Sequence, residues 1–159
     1  MCIRDSFSAC ADGDLGSDLT ASGDASGWTA DFEGDCGGSG GVDGLFTWTP
    51  PSTGTYCVDT FGGSDYDTVI RVMDSCDSEI ACDDDGSEWI TYPSDLTSAV
   101  EFEATEGSTL GIVVDAYSSS TTAGAYTLTI TAGNCPGVGT TCALEDGSDG
   151  IYDLSLIHI

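Results

Sequence analysis

Asp65 and Asp67 stand at the entry to one apolar run, and Asp83, Asp84 and Asp85 close the next. Carboxylates of this kind are hard oxygen donors, and calcium takes about six to eight such oxygens from side chains and backbone carbonyls converging out of loops. The chemistry these five residues suit is therefore cation binding. They do not follow the helix–loop–helix calcium pattern, because no Glu closes the run and no helical pattern flanks it. A competing reading has Asp67 capping a turn by accepting backbone N–H groups, with Asp83 to Asp85 simply solvated. Should calcium bind, an affinity of about 0.1 to 1 mM is typical of an extracellular module.

Catalysis finds much less support. A glycosidase needs one carboxyl buried beside a cleft with a raised pKa, whereas Glu101 and Glu103 alternate outward on a strand pattern as an ordinary solvated face. The serines fall in loop-like stretches, and the one histidine, His158, lies in the closing hexapeptide, whose sequence looks foreign to the rest, so neither a Ser-His-Asp nor a Cys-His arrangement can be assembled. Exposed aromatic rings are the other candidates for ligand contact. Trp28, Trp89, Tyr92 and Tyr117 fall in or near loops, and Trp89 and Tyr92 form the best patch, suited to stacking on a sugar or an extended peptide. The alternative is that Trp89 folds back over the end of the core.

Both termini look foreign to the rest. Met-Cys-Ile-Arg-Asp-Ser can be encoded by ATG TGT ATA AGA GAC AG, and the closing Leu-Ser-Leu-Ile-His-Ile by its reverse complement continued. That symmetry matches a sequencing-library transposon end translated at both edges of a read. Residues 1–6 and 154–159 are therefore expected to be foreign to the fold. Their removal takes away Arg4, Cys2 and His158, and leaves Arg71 as the basic residue of the chain proper.

The full sequence has 159 residues and a formal net charge of −26. Such a surface repels nucleic acid phosphates and anionic lipid, which excludes those partners. It also destabilises a compact state unless cations condense on it, which points to a salty or calcium-containing exterior. No apolar run approaches the ~20 residues that cross a bilayer. The length suits a single domain.

Of the eight cysteines, seven remain outside the terminal hexapeptides, and without histidine ligands they fit disulfides in an oxidising compartment, and hence secretion, better than zinc. Cys76 and Cys82 bracket a short loop whose closure would fix the acidic turn and contribute about 2 kcal/mol. Cys135 and Cys142 enclose a similar one. The run from Cys142 to Ser148 parallels that from Cys10 to Ser17 and reads as the opening of a further module. On that reading the partner of Cys10 falls in the excluded terminus and Cys36 pairs with Cys57. The alternative joins Cys10 to Cys36 and leaves Cys57 a buried thiol.

The elements that position these residues are strands. Val100 and Phe102 alternate with Glu101 and Glu103, and Tyr126, Leu128 and Ile130 alternate with threonines, which makes two half-buried strands. Leu110, Ile112 and Val114 share a face of a third strand, which Val113 makes apolar on both sides and hence central. Phe46 with Trp48, Tyr56 with Val58, and Ile70 with Val72 repeat the pattern. Weaker strands are expected at Asp18 to Ser22 and Trp28 to Glu33, and residues 35–44 read as a flexible glycine-rich loop. Turn residues separate all of these, and nothing reads as a helix. The sum is an all-β, antiparallel, jelly-roll-like β-sandwich in one domain spanning residues 7–131, with residues 132–153 a linker or the start of a further module.

The order of several short motifs resembles the bacterial pre-peptidase C-terminal domain family. They are Phe46-Thr47-Trp48-Thr49-Pro50 with Gly54-Thr55-Tyr56, Tyr66-Asp67-Thr68-Val69-Ile70-Arg71-Val72, Ala81-Cys82-Asp83-Asp84-Asp85, Val113-Val114-Asp115-Ala116-Tyr117, and Gly124-Ala125-Tyr126-Thr127-Leu128. The resemblance covers residues 15–131. It implies a jelly-roll-like sandwich, export, and a non-catalytic role beside an enzyme. Cys57 within a strand and the acidity of Asp83-Asp84-Asp85 depart from the family pattern. Two functional expectations follow. One is a secreted, calcium-stabilised accessory module aiding export, folding or substrate attachment of a linked extracellular enzyme, with extracellular polysaccharide or protein as the material contacted. The other is a repeat unit of a surface adhesin or structural array, partnered by further copies along the same chain.

Overall fold

Two β-sheets face each other across one apolar core. The structure, a computed structural model, describes residues 7–86 and 96–135. Its strands are β1 (Gly13–Asp14), β2 (Thr20–Asp24), β3 (Asp43–Trp48), β4 (Gly54–Asp59), β5 (Thr68–Ser75), β6 (Ser78–Asp83), β7 (Ala99–Ala104), β8 (Leu110–Ala116) and β9 (Ala125–Ala132). One sheet runs β1-β3-β8-β5-β6 and the other β2-β9-β4-β7. From β2 to β9 the chain changes sheet at every step except the β5–β6 hairpin, which is the double Greek-key order of a jelly roll. All pairings are antiparallel except β1 with β3, a two-residue parallel contact at the sheet edge. No helix among the described residues is long and apolar enough to cross a membrane.

The period-two reading accounts for the core. Trp48, Tyr56, Val58, Ile70, Val72, Val100, Phe102, Ile112, Val114, Leu128 and Ile130 meet between the sheets, with Trp48 set edge-on against Tyr56 and Phe102. β8 is central as expected, and its Val113 packs on the outer side with Leu45, Met73 and Phe7. Trp28 closes one end of the core against Phe46 and Tyr126, at centroid distances of 5.8 and 5.0 Å.

Several expectations are corrected. Trp28 to Glu33 forms no strand and contributes one bridge, Thr29 to Asp43, because Asp31 and Phe32 instead turn their N–H groups onto the Asp43 carboxylate. The glycine-rich stretch 35–44 is packed at its end. Asp43 and Gly44 belong to β3, and Gly41 lies so close to β8 that a Cβ there would overlap the Ala116 carbonyl oxygen. Glycine serves close approach here, rather than slack. At the other end, β9 continues through Ala132 and the fold reaches Cys135, beyond the expected boundary at Thr131. Residues 136–153 and both terminal hexapeptides lie outside the described residues.

The disulfides also differ from expectation, joining Cys10 to Cys76, Cys36 to Cys82 and Cys57 to Cys135. Cys76 and Cys82 cannot pair, because Ser78–Asp83 is an extended strand. Four residue steps along that strand carry Cys82 about 13 Å from Ser78, where it meets Cys36, while Cys76 in the turn meets Cys10. Cys36 and Cys57 belong to opposite outer faces of the sandwich. Cys82 and its cross-strand partner Arg71 share the outer face of the first sheet, while Cys57 packs with Ala99 and Cys135 outside the second. The proposed partner of Cys135, Cys142, lies outside the described residues, and Cys135 is bridged to Cys57 instead. Glu101 is not merely solvated, since its carboxylate accepts the Cys135 N–H at 3.0 Å and the Asn134 amide at 2.9 Å, holding this last segment on β7.

Candidate metal centre

The antiparallel register of β5 and β6 places Ile70 opposite Asp83, so the residues leading into β5 meet those leaving β6. That is why Asp67, Asp84 and Asp85 converge. One carboxylate oxygen from each lies within 4.8 Å of the others. Asp67 and Asp84 are half-buried and Asp85 is exposed. Their two flanking segments are tied by buried hydroxyls. The Ser98 hydroxyl sits 2.5 Å from the carbonyl oxygens of both Thr68 and Asp84, and Thr60 Oγ1 lies 2.7 Å from Thr68 Oγ1 while accepting the Ser98 N–H at 3.0 Å. The Tyr117 N–H donates to the Asp67 carbonyl and the Gly86 N–H to that of Thr97, fixing the loops on either side.

The electrostatics are those of partly buried carboxylates crowded together. Asp67 Oδ1 and Asp84 Oδ1 are buried and meet no hydrogen-bond donor. Burial, reinforced by the charges of Asp85, Asp67 and Asp83, pushes the Asp84 carboxyl up to about 6. Asp67 is raised too, by burial and by Asp85. A hard cation among these oxygens would reverse both shifts, since calcium is held by several carboxylate oxygens at about 2.3–2.6 Å.

Of the five aspartates singled out in the sequence, the fold brings together three. Asp83, the last residue of β6, turns toward β7 and accepts the Ala99 N–H at 2.8 Å. Asp65 faces β9, with its N–H on the Ala125 carbonyl and its carboxylate against Gly124. The aromatic patch of Trp89 and Tyr92 lies outside the described residues. Tyr117 is exposed, whereas Trp28 is committed to the core.

A second charged cluster escaped the sequence reading. Arg71, 1% exposed, pairs on the outer face of the first sheet with Asp115 at 3.0 Å and Glu79 at 3.1 Å. Its signal was available, because a charge inside Val69-Ile70-Arg71-Val72 and another inside Val113-Val114-Asp115-Ala116 interrupt apolar strands, and buried charges need partners.

Fold and site together describe a disulfide-bridged β-sandwich of one domain with an acidic loop cluster at one end. No family model matches the chain, and neither does any curated protein sequence. Among solved structures, the chain is similar to the pre-peptidase C-terminal domain of collagenase from Bacillus anthracis, at 12% identity and a TM-score of 0.46, covering 76% of this chain and 96% of that one. It is also similar to a family 35 carbohydrate binding module from an environmental isolate, at 20% identity and a TM-score of 0.34, covering 64% and 77%. The first of these neighbours is of the kind that the motif order resembles.

Proposed function

We propose that this chain is a secreted, non-catalytic accessory module, stabilised by calcium held at Asp67, Asp84 and Asp85, that assists the export, folding or substrate attachment of a linked extracellular enzyme. The observation that carries the calcium reading is the convergence of three carboxylates with two buried, unpartnered oxygens. Three disulfides support an oxidising, extracellular setting. The accessory role is supported by the motif order resembling the pre-peptidase C-terminal family.

Thermal unfolding in calcium and in chelator tests the metal. At a calcium concentration about twenty times the dissociation constant, linkage gives about 2 kcal/mol of stabilisation, so the melting temperature should rise by several degrees. Identical curves would remove calcium from the reading. Long-read sequencing of the locus across both terminal hexapeptides tests the role. An enzyme fused in frame behind an export signal supports the accessory module. A second reading, the repeat unit of an adhesive or structural array, rests on the likeness between the Cys10 and Cys142 segments, and further copies without an enzyme would favour it.

A further inference from the structure

The outer face of the five-stranded sheet holds a pair of acids that the calcium reading does not use. Asp43 on β3 and Asp115 on β8 are directly opposed in the antiparallel register, so both side chains leave the same face with Cβ atoms about 4.5–5.5 Å apart. Asp43 is 2% exposed and Asp115 4%. Each has one oxygen well supplied. Asp43 Oδ2 accepts the N–H groups of Asp31 and Phe32 at 2.9 and 3.0 Å, and Asp115 Oδ2 accepts Arg71 Nη2 at 3.0 Å and Nε at 3.4 Å. The remaining Oδ1 of each is buried and meets no donor. Two ionised carboxylates are acceptors only, so nothing on either can satisfy the other, and leaving both unsatisfied in a buried site is costly. A single proton resolves this, since a carboxylic acid can donate to the carboxylate opposite.

We propose that Asp43 and Asp115 share one proton in the folded protein, so that the pair carries a single negative charge on the buried outer face of the sheet. The surrounding charges favour it. Among the described residues Arg71 on β5 is the one cation facing the pair, and it is already matched by Asp115 and by Glu79 of β6. The strap brings Asp31 and Glu33, the segment before β1 brings Asp12, and Tyr66 lies within reach of the Asp115 charge. Burial first, and then these negative neighbours, raise the two carboxyls against their hydrogen bonds, Asp43 to about 6 and Asp115 to about 7. The linkage sign follows. The folded state binds the proton more tightly than the unfolded chain, so the stabilisation is complete below the ordinary carboxyl range and is lost as pH rises through about 6 to 7.

Carboxyl-carbon NMR shifts of the full chain, followed through a pH titration in chelator and again in millimolar calcium, test the shared proton. The expected result is two coupled steps for Asp43 and Asp115 with at least one midpoint above the ordinary range. Asp115→Asn should then lower the Asp43 midpoint by about one pH unit or more, and Asp43→Asn should act likewise on Asp115. Both carboxyls titrating in the ordinary range, or independently of each other, would overturn the proposal. So would calcium depressing both midpoints, which would put a metal ion in place of the proton. If either variant fails to fold, the wild-type titration alone decides.

Discussion

Arg71 shows what one residue does in this sandwich. Its guanidinium is buried beneath Gly34, where a Cβ would overlap both the Arg71 guanidinium and the Glu79 carboxylate. Truncating one partner of such a cluster leaves the others charged, buried and unmatched. Arg71→Ala should therefore lower stability by about 3–5 kcal/mol in urea unfolding, far more than loss of an exposed pair. At the calcium cluster, Asp84→Asn should abolish the calcium-dependent rise in melting temperature, while Asp65→Asn, on the far side toward β9, should leave it intact. The types of these residues were legible in the sequence, but their neighbours were not. Asp115 lies 44 positions from Arg71, and only the register of β5 against β8 brings them together. Asp83 and Asp84 look equivalent as letters, yet one belongs to a strand with its carboxylate on the Ala99 N–H and the next begins a loop.

At the scale of elements, strands were the most readable feature, because the alternation of Val100-Glu101-Phe102-Glu103 or Tyr126-Thr127-Leu128 is itself the record of one buried face. The cysteine pairings were not readable, since proximity along the chain says nothing about which face of which sheet a thiol occupies. Cys57 alternates with the core residues Tyr56 and Val58 and so must look outward, where the segment after β9 crosses it. Peptide mapping without reduction should recover Cys10 with Cys76, Cys36 with Cys82 and Cys57 with Cys135. Replacing both Cys57 and Cys135 by serine should cost about 2–4 kcal/mol, because the bridge closes a loop of sequence separation 78. Equilibrium unfolding of the double variant under oxidising conditions measures this.

Across the whole molecule, the acidic charge visible in the sequence sets how stability responds to pH. Asp43, Asp115, Asp84 and Asp67 all have raised folded midpoints. The folded state therefore carries more protons than the unfolded chain between about pH 4 and 7, and stability in chelator should fall as pH rises across that window. Urea midpoints at about pH 5 and about pH 8 check the sign. Calcium favours the ionised forms of Asp84 and Asp67, so its stabilising effect should be greatest at the alkaline end. The three bridges have a mechanical side as well. A pull applied at Cys10 and Cys135 passes through sulfur to Cys76 and Cys57, so only the backbone between those two bears load. Full extension of that path is about 65 Å, against about 430 Å for the unbridged chain between the same points. β3, β8 and β9 stay off the force path, whereas β5 and the end of β4 lie on it, so tension between the two ends falls first on a strand inside the first sheet.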